Sequence, residues 1–253
     1  MHSNQQNVAL VTGSAKRLGR KMIETLHHAG YRVIIHCHQS IDAANALAKR
    51  LNQKRPNSAK VVSANLLEPQ QIKALAAASL ACFNRIDVLV NNASSFYPTP
   101  IATASQANWH DLVGSNVQAP YFLSQALVPE LTKHNGVIIN MVDIHADKPL
   151  QEYSIYCMAK AALKMMTKSL ARELAPTVRV NGIAPGAILW PSEGAPALAE
   201  HEKAAILQQI PLNRLGDPTD IAQTLLFLVQ APYITGQIIA VDGGRSLGGA
   251  NKA

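Results

Sequence analysis

The chain predicts an α/β fold: a single-domain, doubly wound parallel sheet with helices on both faces, spanning residues 1–253. Three observations carry this. Short apolar runs, among them Val8–Thr12, Arg32–His36 and Val137–Met141, recur between helical stretches. Strands buried on both faces read as such near-continuous apolar runs, and parallel strands need right-handed crossover helices to join them. The chain also has 253 residues, 48% of them hydrophobic, enough for one large core.

The elements follow in order. Val8–Thr12 enters a glycine turn, and a helical pattern runs from Leu18 to Ala29, with Gly30 as its stop. Arg32–His36 is a strand, followed by alanine-rich helix to about Leu51. Val61–Ala64, Val88–Val90 and Val137–Met141 are strands, separated by helices over Pro69–Phe83 and roughly Gln106–Leu131. Tyr153–Leu174 reads as a long helix, Val178–Ile183 as a strand, Asp217–Val229 as a helix and Gln237–Val241 as a last strand. The stretch 187–213 fits the alternation poorly and is expected to be a substrate lid. There is no repeat and no linker.

Composition narrows the function. The 23 basic and 16 acidic residues give +7, but they are scattered, without Lys/Arg blocks or interleaved aromatics. This favours an anionic small ligand over nucleic acid. Cys37, Cys82 and Cys157 make an odd set without a CxxC, so neither a disulfide framework nor a zinc site is expected. Met1–Asn7 is polar, and no apolar run approaches membrane-spanning length, so a cytoplasmic protein is expected.

In such a Rossmann-like sheet, ligands bind beyond the carboxyl ends of the strands. Thr12–Gly19, His36–Ser40, Asn91–Tyr97, Asp143 and Pro185–Gly186 all follow strands, so they should gather on one edge. In "VTGSAKRLGR", Gly13 permits a tight turn, Gly19 permits close backbone approach, and the helix N-terminus offers free N–H groups to a phosphate. Arg17 stands where glycine is usual and adds a cation there. The end of the second strand, His36-Cys37-His38-Gln39-Ser40, carries no acid to hold ribose hydroxyls. Arg17, His38 and Ser40 are instead placed to accept a 2′-phosphate, which points to NADPH. His36 and His38 could alternatively form a metal pair, but no third ligand is evident; a neutral structural His36 is preferred, and no metal is expected.

Tyr156 and Lys160 lie four apart, on one face of a helix. Thirteen residues before the tyrosine stands Asp143, where enzymes with this pair often carry Ser. Here the resemblance becomes specific. Thr12-Gly13…Gly19, the "NNAS" of Asn91–Ser94, Asn116, Tyr156-x-x-x-Lys160, Pro185–Gly186 and "VDGG" resemble the short-chain dehydrogenase/reductase superfamily over essentially the whole chain. More narrowly, "TGSAKRLGR", "HCHQS", "NNASSFYPTP", "GSNVQAPYFL" and "MVDIHADKPLQEYSIYCMAK" resemble pteridine reductases, in which Arg17, Phe96 and Asp143 occur together.

The resemblance implies NADPH-dependent reduction of a pterin ring, in dihydro and fully oxidised forms, by a homotetramer. It implies cofactor contacts at Gly13, Arg17, Leu18, Gly19, His38, Gln39, Ser40, Asn65, Leu66, Asn92, Ala93, Lys160, Pro185 and Gly186. Substrate contacts are implied at Arg17, Ser94, Phe96, Asp143 and Tyr156, with catalysis by Asp143, Tyr156, Lys160 and Asn116. Two positions depart from the pattern. Gln39 replaces an Arg, which should loosen the grip on the 2′-phosphate, and Asn65 replaces the Asp expected at the adenine amino group.

The chemistry is coherent with this. Reducing a C=N bond sends hydride to carbon and requires a proton on a weakly basic nitrogen, so a positioned acid helps. An Asp143–Tyr156 pair can supply it. A Ser–Tyr pair suits ordinary carbonyl reduction instead, and a bland alternative is that Asp143 only caps a turn. Lys160 is expected to hold the nicotinamide ribose and to lower the pKa of Tyr156. Asn116 would anchor a relay water, Ser94 would bond the pterin or a phosphate, and Phe96 would stack on the substrate rather than fill the core. Tyr153 reads as packing. The competing functions are a reductase of another carbonyl or acyl substrate, a non-catalytic NADP-binding sensor, and a nucleic-acid binder.

Overall fold

A computed structural model describes residues 6–190 and 199–248. Seven strands, β1 (Val8–Val11), β2 (Arg32–Cys37), β3 (Ala59–Ser63), β4 (Val88–Asn91), β5 (Val137–Met141), β6 (Arg179–Pro185) and β7 (Ile238–Val241), form one sheet. Their order is β3-β2-β1-β4-β5-β6-β7, and all pairs are parallel. The helices are α1 (Arg17–His28), α2 (Ile41–Lys54), α3 (Pro69–Phe83), α4 (Gln106–Val113), α5 (Ala119–Lys133), α6 (Ser154–Glu173), α7 (Glu200–Gln208) and α8 (Pro218–Gln230).

Strand alternation builds two cores from one sheet. Ala9 and Val11 of β1, Val33 and Ile35 of β2, and Val137 and Ile139 of β5 face α1, α2 and α8. Val8, Leu10, Ile34, Leu89 and Ile138 face the other way, onto α3, α5 and α6. Successive strand side chains point to opposite faces, so apolar residues at both parities demand cover on both sides. Each fully buried Leu or Ile contributes roughly 1.5–3 kcal/mol. The direction in which successive strands are added reverses between β1 and β4, leaving a crevice at their carboxyl ends. The register Val11↔Val90 puts Thr12 beside Asn91–Asn92 there.

Most expected elements appear within two residues. The helix expected over Gln106–Leu131 is divided: a wide π turn, Gly114–Gln118, separates α4 from α5, with the Ala119 amide donating to Gly114 O. The cause is side-chain competition for carbonyls. Ser115 Oγ donates to Asp111 O at 2.7 Å, and Asn116 Nδ2 donates to Leu112 O at 2.9 Å. In the expected lid, α7 is a short helix with no buried residue; residues 191–198 of that stretch lie outside the described residues. Among the described residues, no helix is long and apolar enough to cross a membrane.

Candidate active site

β5 delivers its last residue, Met141, to the carboxyl edge, and Asp143 follows in extended backbone. Its two oxygens have separate duties. Oδ1 accepts the His145 amide at 2.8 Å and so caps the short turn Ile144–Ala146. Oδ2 accepts the Tyr156 hydroxyl at 2.8 Å. The capping reading and the acid-pair reading of Asp143 are therefore both satisfied, by different atoms. Tyr156 is 4% exposed and Lys160 is 3% exposed, one turn apart on the inner face of α6. Lys160 Nζ donates to Met141 O at 2.8 Å and lies 5.5 Å from the Tyr156 ring centroid.

The electrostatics differ from the expectation that Lys160 lowers the pKa of Tyr156. Burial, then the charge of Asp143 and its hydrogen bond, push the phenol well above its ordinary value. The Asp143 carboxylate is bonded directly to the hydroxyl, whereas the Lys160 ammonium is bonded to the Met141 carbonyl, so the carboxylate wins. Tyr156 is thus held as a neutral donor. Burial in turn pulls Lys160 down to about 8, a shift the Asp143 charge partly opposes.

Phe96 is 54% exposed, which rules out a core role. It stacks on Tyr153 with ring centroids 4.6 Å apart at 22°, and meets Tyr156 edge-on at 4.8 Å and 73°. Tyr153 therefore packs, as expected, but its partner is the site's own aromatic shelf. Ser94 Oγ donates to Asn116 Oδ1 at 2.7 Å, while Asn116 Nδ2 reaches Ser95 O at 3.0 Å. The wide turn thus ties the loop after β4 to the helix that carries it. Ser94, Phe96, Asn116, Asp143, Tyr156 and Lys160 all converge on one cluster at the carboxyl edge.

The glycine turn lies beside them. Gly13 has φ +60°, and a Cβ there would come 3.0 Å from Ala93 Cα. A Cβ on Gly19 would sit 2.5 Å from Gly13 O, so only glycine lets α1 start this close to β1. Arg17 adopts φ +50°, the left-handed region that favours glycine, which explains why glycine is usual there. Its guanidinium donates to Trp190 O at 3.2 Å, linking the turn to the start of the expected lid. Arg17, Leu18 and Gly19 form the first turn of α1, where amides lack intrahelical partners. Spacing gave no signal for the braces of this turn. Thr12 Oγ1 accepts the Asn92 and Ala93 amides at 2.9 and 3.0 Å, and Asn92 Nδ2 donates to Thr12 O at 2.8 Å. The Asn92 side chain is thus bound to the turn itself.

Further along the edge, His38 and Gln39 are exposed, and Ser40 precedes α2 without a side-chain cap hydrogen bond to it. Asn65 Oδ1 accepts the Leu67 amide at 3.1 Å, so the acceptor expected at the adenine is engaged by a local turn that also holds Leu66. Pro185 ends β6, and the Gly186 amide donates to Val241 O at 3.0 Å. The crowded Gly13–Gly19 approach, the open helix N-terminus and the cation beside it fit a dinucleotide. Among the described residues, no cluster of three metal-ligating side chains occurs.

Comparisons with known proteins agree with this geometry. A family model described as enoyl-(acyl carrier protein) reductase matches residues 13–246. The chain is 38% identical to "Pteridine reductase 1" of Leishmania tarentolae over 282 aligned positions, 95% of this chain and 96% of that protein. It is 35% identical to a 3-oxoacyl-(acyl-carrier-protein) reductase of Staphylococcus epidermidis over 240 positions, 93% and 97% of the two chains.

Proposed function

Because the chain belongs to the short-chain dehydrogenase/reductase family, we propose that it is an NADPH-dependent reductase of pterins, converting dihydropterin to tetrahydropterin, with oxidised pterin and dihydrofolate as further candidate substrates. The observation that carries this reading is the Tyr156 Oη–Asp143 Oδ2 contact of 2.8 Å beside an exposed Phe96. A bound nicotinamide supplies hydride to the ring carbon. The neighbouring ring nitrogen takes its proton from Tyr156 Oη. The phenolate left on Tyr156 is then reprotonated by a solvent proton that Asp143 relays through Oδ2, so no phenolate accumulates beside the carboxylate. Water held near Asn116 reloads the pair. A serine hydroxyl cannot surrender a proton as readily, which is why the carboxyl favours an imine over a ketone.

Lys160 keeps two N–H donors beyond its bond to Met141 O, enough for both hydroxyls of the nicotinamide ribose. Gly13, Leu18, Gly19 and Arg17 would receive the pyrophosphate, and His38, Gln39 and Ser40 the 2′-phosphate. Asn65 and Leu66 would flank the adenine, with Ala93, Pro185 and Gly186 lining the path to the nicotinamide. Phe96 would form one face of the pterin slot, with Ser94 and Arg17 at its rim. A homotetramer is also inferred, since α5 and α6 leave Tyr121, Phe122, Met158 and Met165 exposed together; light scattering in solution tests it.

A second reading, reduction of a 3-oxoacyl thioester, is supported by the 35% identity to the staphylococcal reductase. The deciding experiment measures NADPH oxidation side by side with dihydropterin, dihydrofolate, a 3-oxoacyl thioester and a simple ketone. The pterin reading requires kcat/KM for dihydropterin to exceed the others; a thioester preference would overturn it.

A further inference from the structure

His36 takes no part in the chemistry above, yet both of its ring nitrogens are engaged at the cofactor edge. It is 1% exposed near the end of β2. Its Nδ1 lies 3.1 Å from the Gly13 amide, and its Nε2 lies 3.1 Å from Ala64 O. An amide can only donate, so Nδ1 is the bare nitrogen and Nε2 carries the proton and donates to the carbonyl. The His36 carbonyl also accepts the Ser14 amide at 2.9 Å. One residue thus holds two consecutive amides of the glycine turn and the carbonyl that precedes Asn65. Burial, the main cause, and the neighbouring His38 charge pull the ring down to about 4, so it is neutral near pH 7. Both ring nitrogens are engaged, which leaves no lone pair for the metal-pair alternative.

We propose that His36 is a positioning residue for the dinucleotide: its imidazole spans the distance between the pyrophosphate turn at Gly13 and the adenine-side segment Ala64–Leu66, so that each half of the cofactor site helps to order the other. This rests on the cofactor reading above. An apolar side chain would fill the same volume but hold neither group. The bridge also runs across β1, β2 and β3 only at their carboxyl ends, where the cofactor would lie.

The two bonds can be cut separately. His36→Gln keeps an amide donor near the Nε2 position for Ala64 O and drops the Gly13 bond. His36→Asn keeps an acceptor near the Nδ1 position for Gly13 and drops the Ala64 bond. Each should weaken NADPH binding roughly 3- to 10-fold, the equivalent of one net hydrogen bond, with kcat at saturating NADPH within about twofold of wild type. The probe that separates the halves is adenosine 2′-monophosphate, which carries no pyrophosphate. Its affinity should fall less in His36→Gln than in His36→Asn, although both variants lose similar Tm. Equal responses to this probe, or unaltered NADPH binding in both, would overturn the proposal.

A measurement on the wild-type chain needs no variant. Adenosine 2′-monophosphate should slow hydrogen exchange at the Gly13 amide, at the far end of the bridge, and unchanged exchange there sinks the idea. A wild-type chain that binds neither NADPH nor NADH would instead bring down the cofactor reading itself.

Discussion

Replacing Asp143 by Asn separates the two duties of its carboxyl. In the structure Oδ1 caps the His145 amide and Oδ2 accepts the Tyr156 hydroxyl, each at 2.8 Å. Asn keeps a carbonyl oxygen for the cap and places an NH₂ against the phenol, so only one hydrogen bond is altered and folding stability should fall by about 1 kcal/mol or less. The carboxylate that relays the proton is gone, however. We expect kcat for dihydropterin to drop roughly 10²–10⁴-fold, the usual worth of general acid catalysis, or about 3–5 kcal/mol of transition-state stabilisation. Asp143→Ala loses the cap as well and should cost about 1 kcal/mol more in stability. Asp143→Ser restores an alcohol beside Tyr156, so imine reduction stays poor while any ketone activity holds or rises. The pH profile gives an independent check. Asp143 raises the pKa of Tyr156 through both its charge and its hydrogen bond, after burial the next largest causes. Removing the carboxylate lowers that pKa, and the alkaline limb of kcat should move to lower pH. Steady-state rates across pH, with thermal melts of each variant, test all of this. An Asp143→Asn enzyme with wild-type kcat and an unmoved pH profile would refute the reasoning and leave Asp143 as a cap alone.

Three further outcomes are expected. Phe96→Ala should weaken a diaminopteridine inhibitor roughly 2- to 10-fold, as stacking is worth about 0.5–1.5 kcal/mol, while NADPH affinity stays unchanged; an unaltered inhibition constant removes Phe96 from the site. NADPH should be preferred to NADH in kcat/KM because no acid follows β2, and parity between the two would discard the reading of His38–Ser40. Lys160, lowered to about 8 in the folded chain, should release the cofactor ribose as pH rises through that value, seen as a rising Kd. Its contribution to folding stability runs the other way: the unfolded chain binds the extra proton above about 8, so stability from this group grows with pH up to its ordinary 10.5. A Kd flat through this range would show that the charge on Lys160 does not hold the cofactor.

Legibility tracked how local the physics was. α3 at Pro69–Phe83 and β5 at Val137–Met141 could be read to the residue, because Pro at a helix start and an unbroken apolar run are self-contained signals. Tyr156 and Lys160 could be placed on one face from spacing alone. The wide turn at Gly114–Gln118 could not, since it depends on Ser115 and Asn116 capturing carbonyls of the preceding turn, which a periodicity count treats as ordinary helix. The direction of the Tyr156 shift was equally hidden. It depends on where Lys160 Nζ points, and the Met141 carbonyl that draws it lies on another element. His36 shows the same limit most sharply. Its sequence neighbours suggest only a strand end, and its partners sit 23 and 28 residues away in sequence. They are brought to it by register: Val11↔Ile35 and Cys37↔Ser63 bring Gly13 and Ala64 to its two sides. A buried histidine in a parallel sheet is therefore uninformative until the strand order is known. Once β3-β2-β1 is established, the same residue becomes the point where two halves of a ligand site can influence each other.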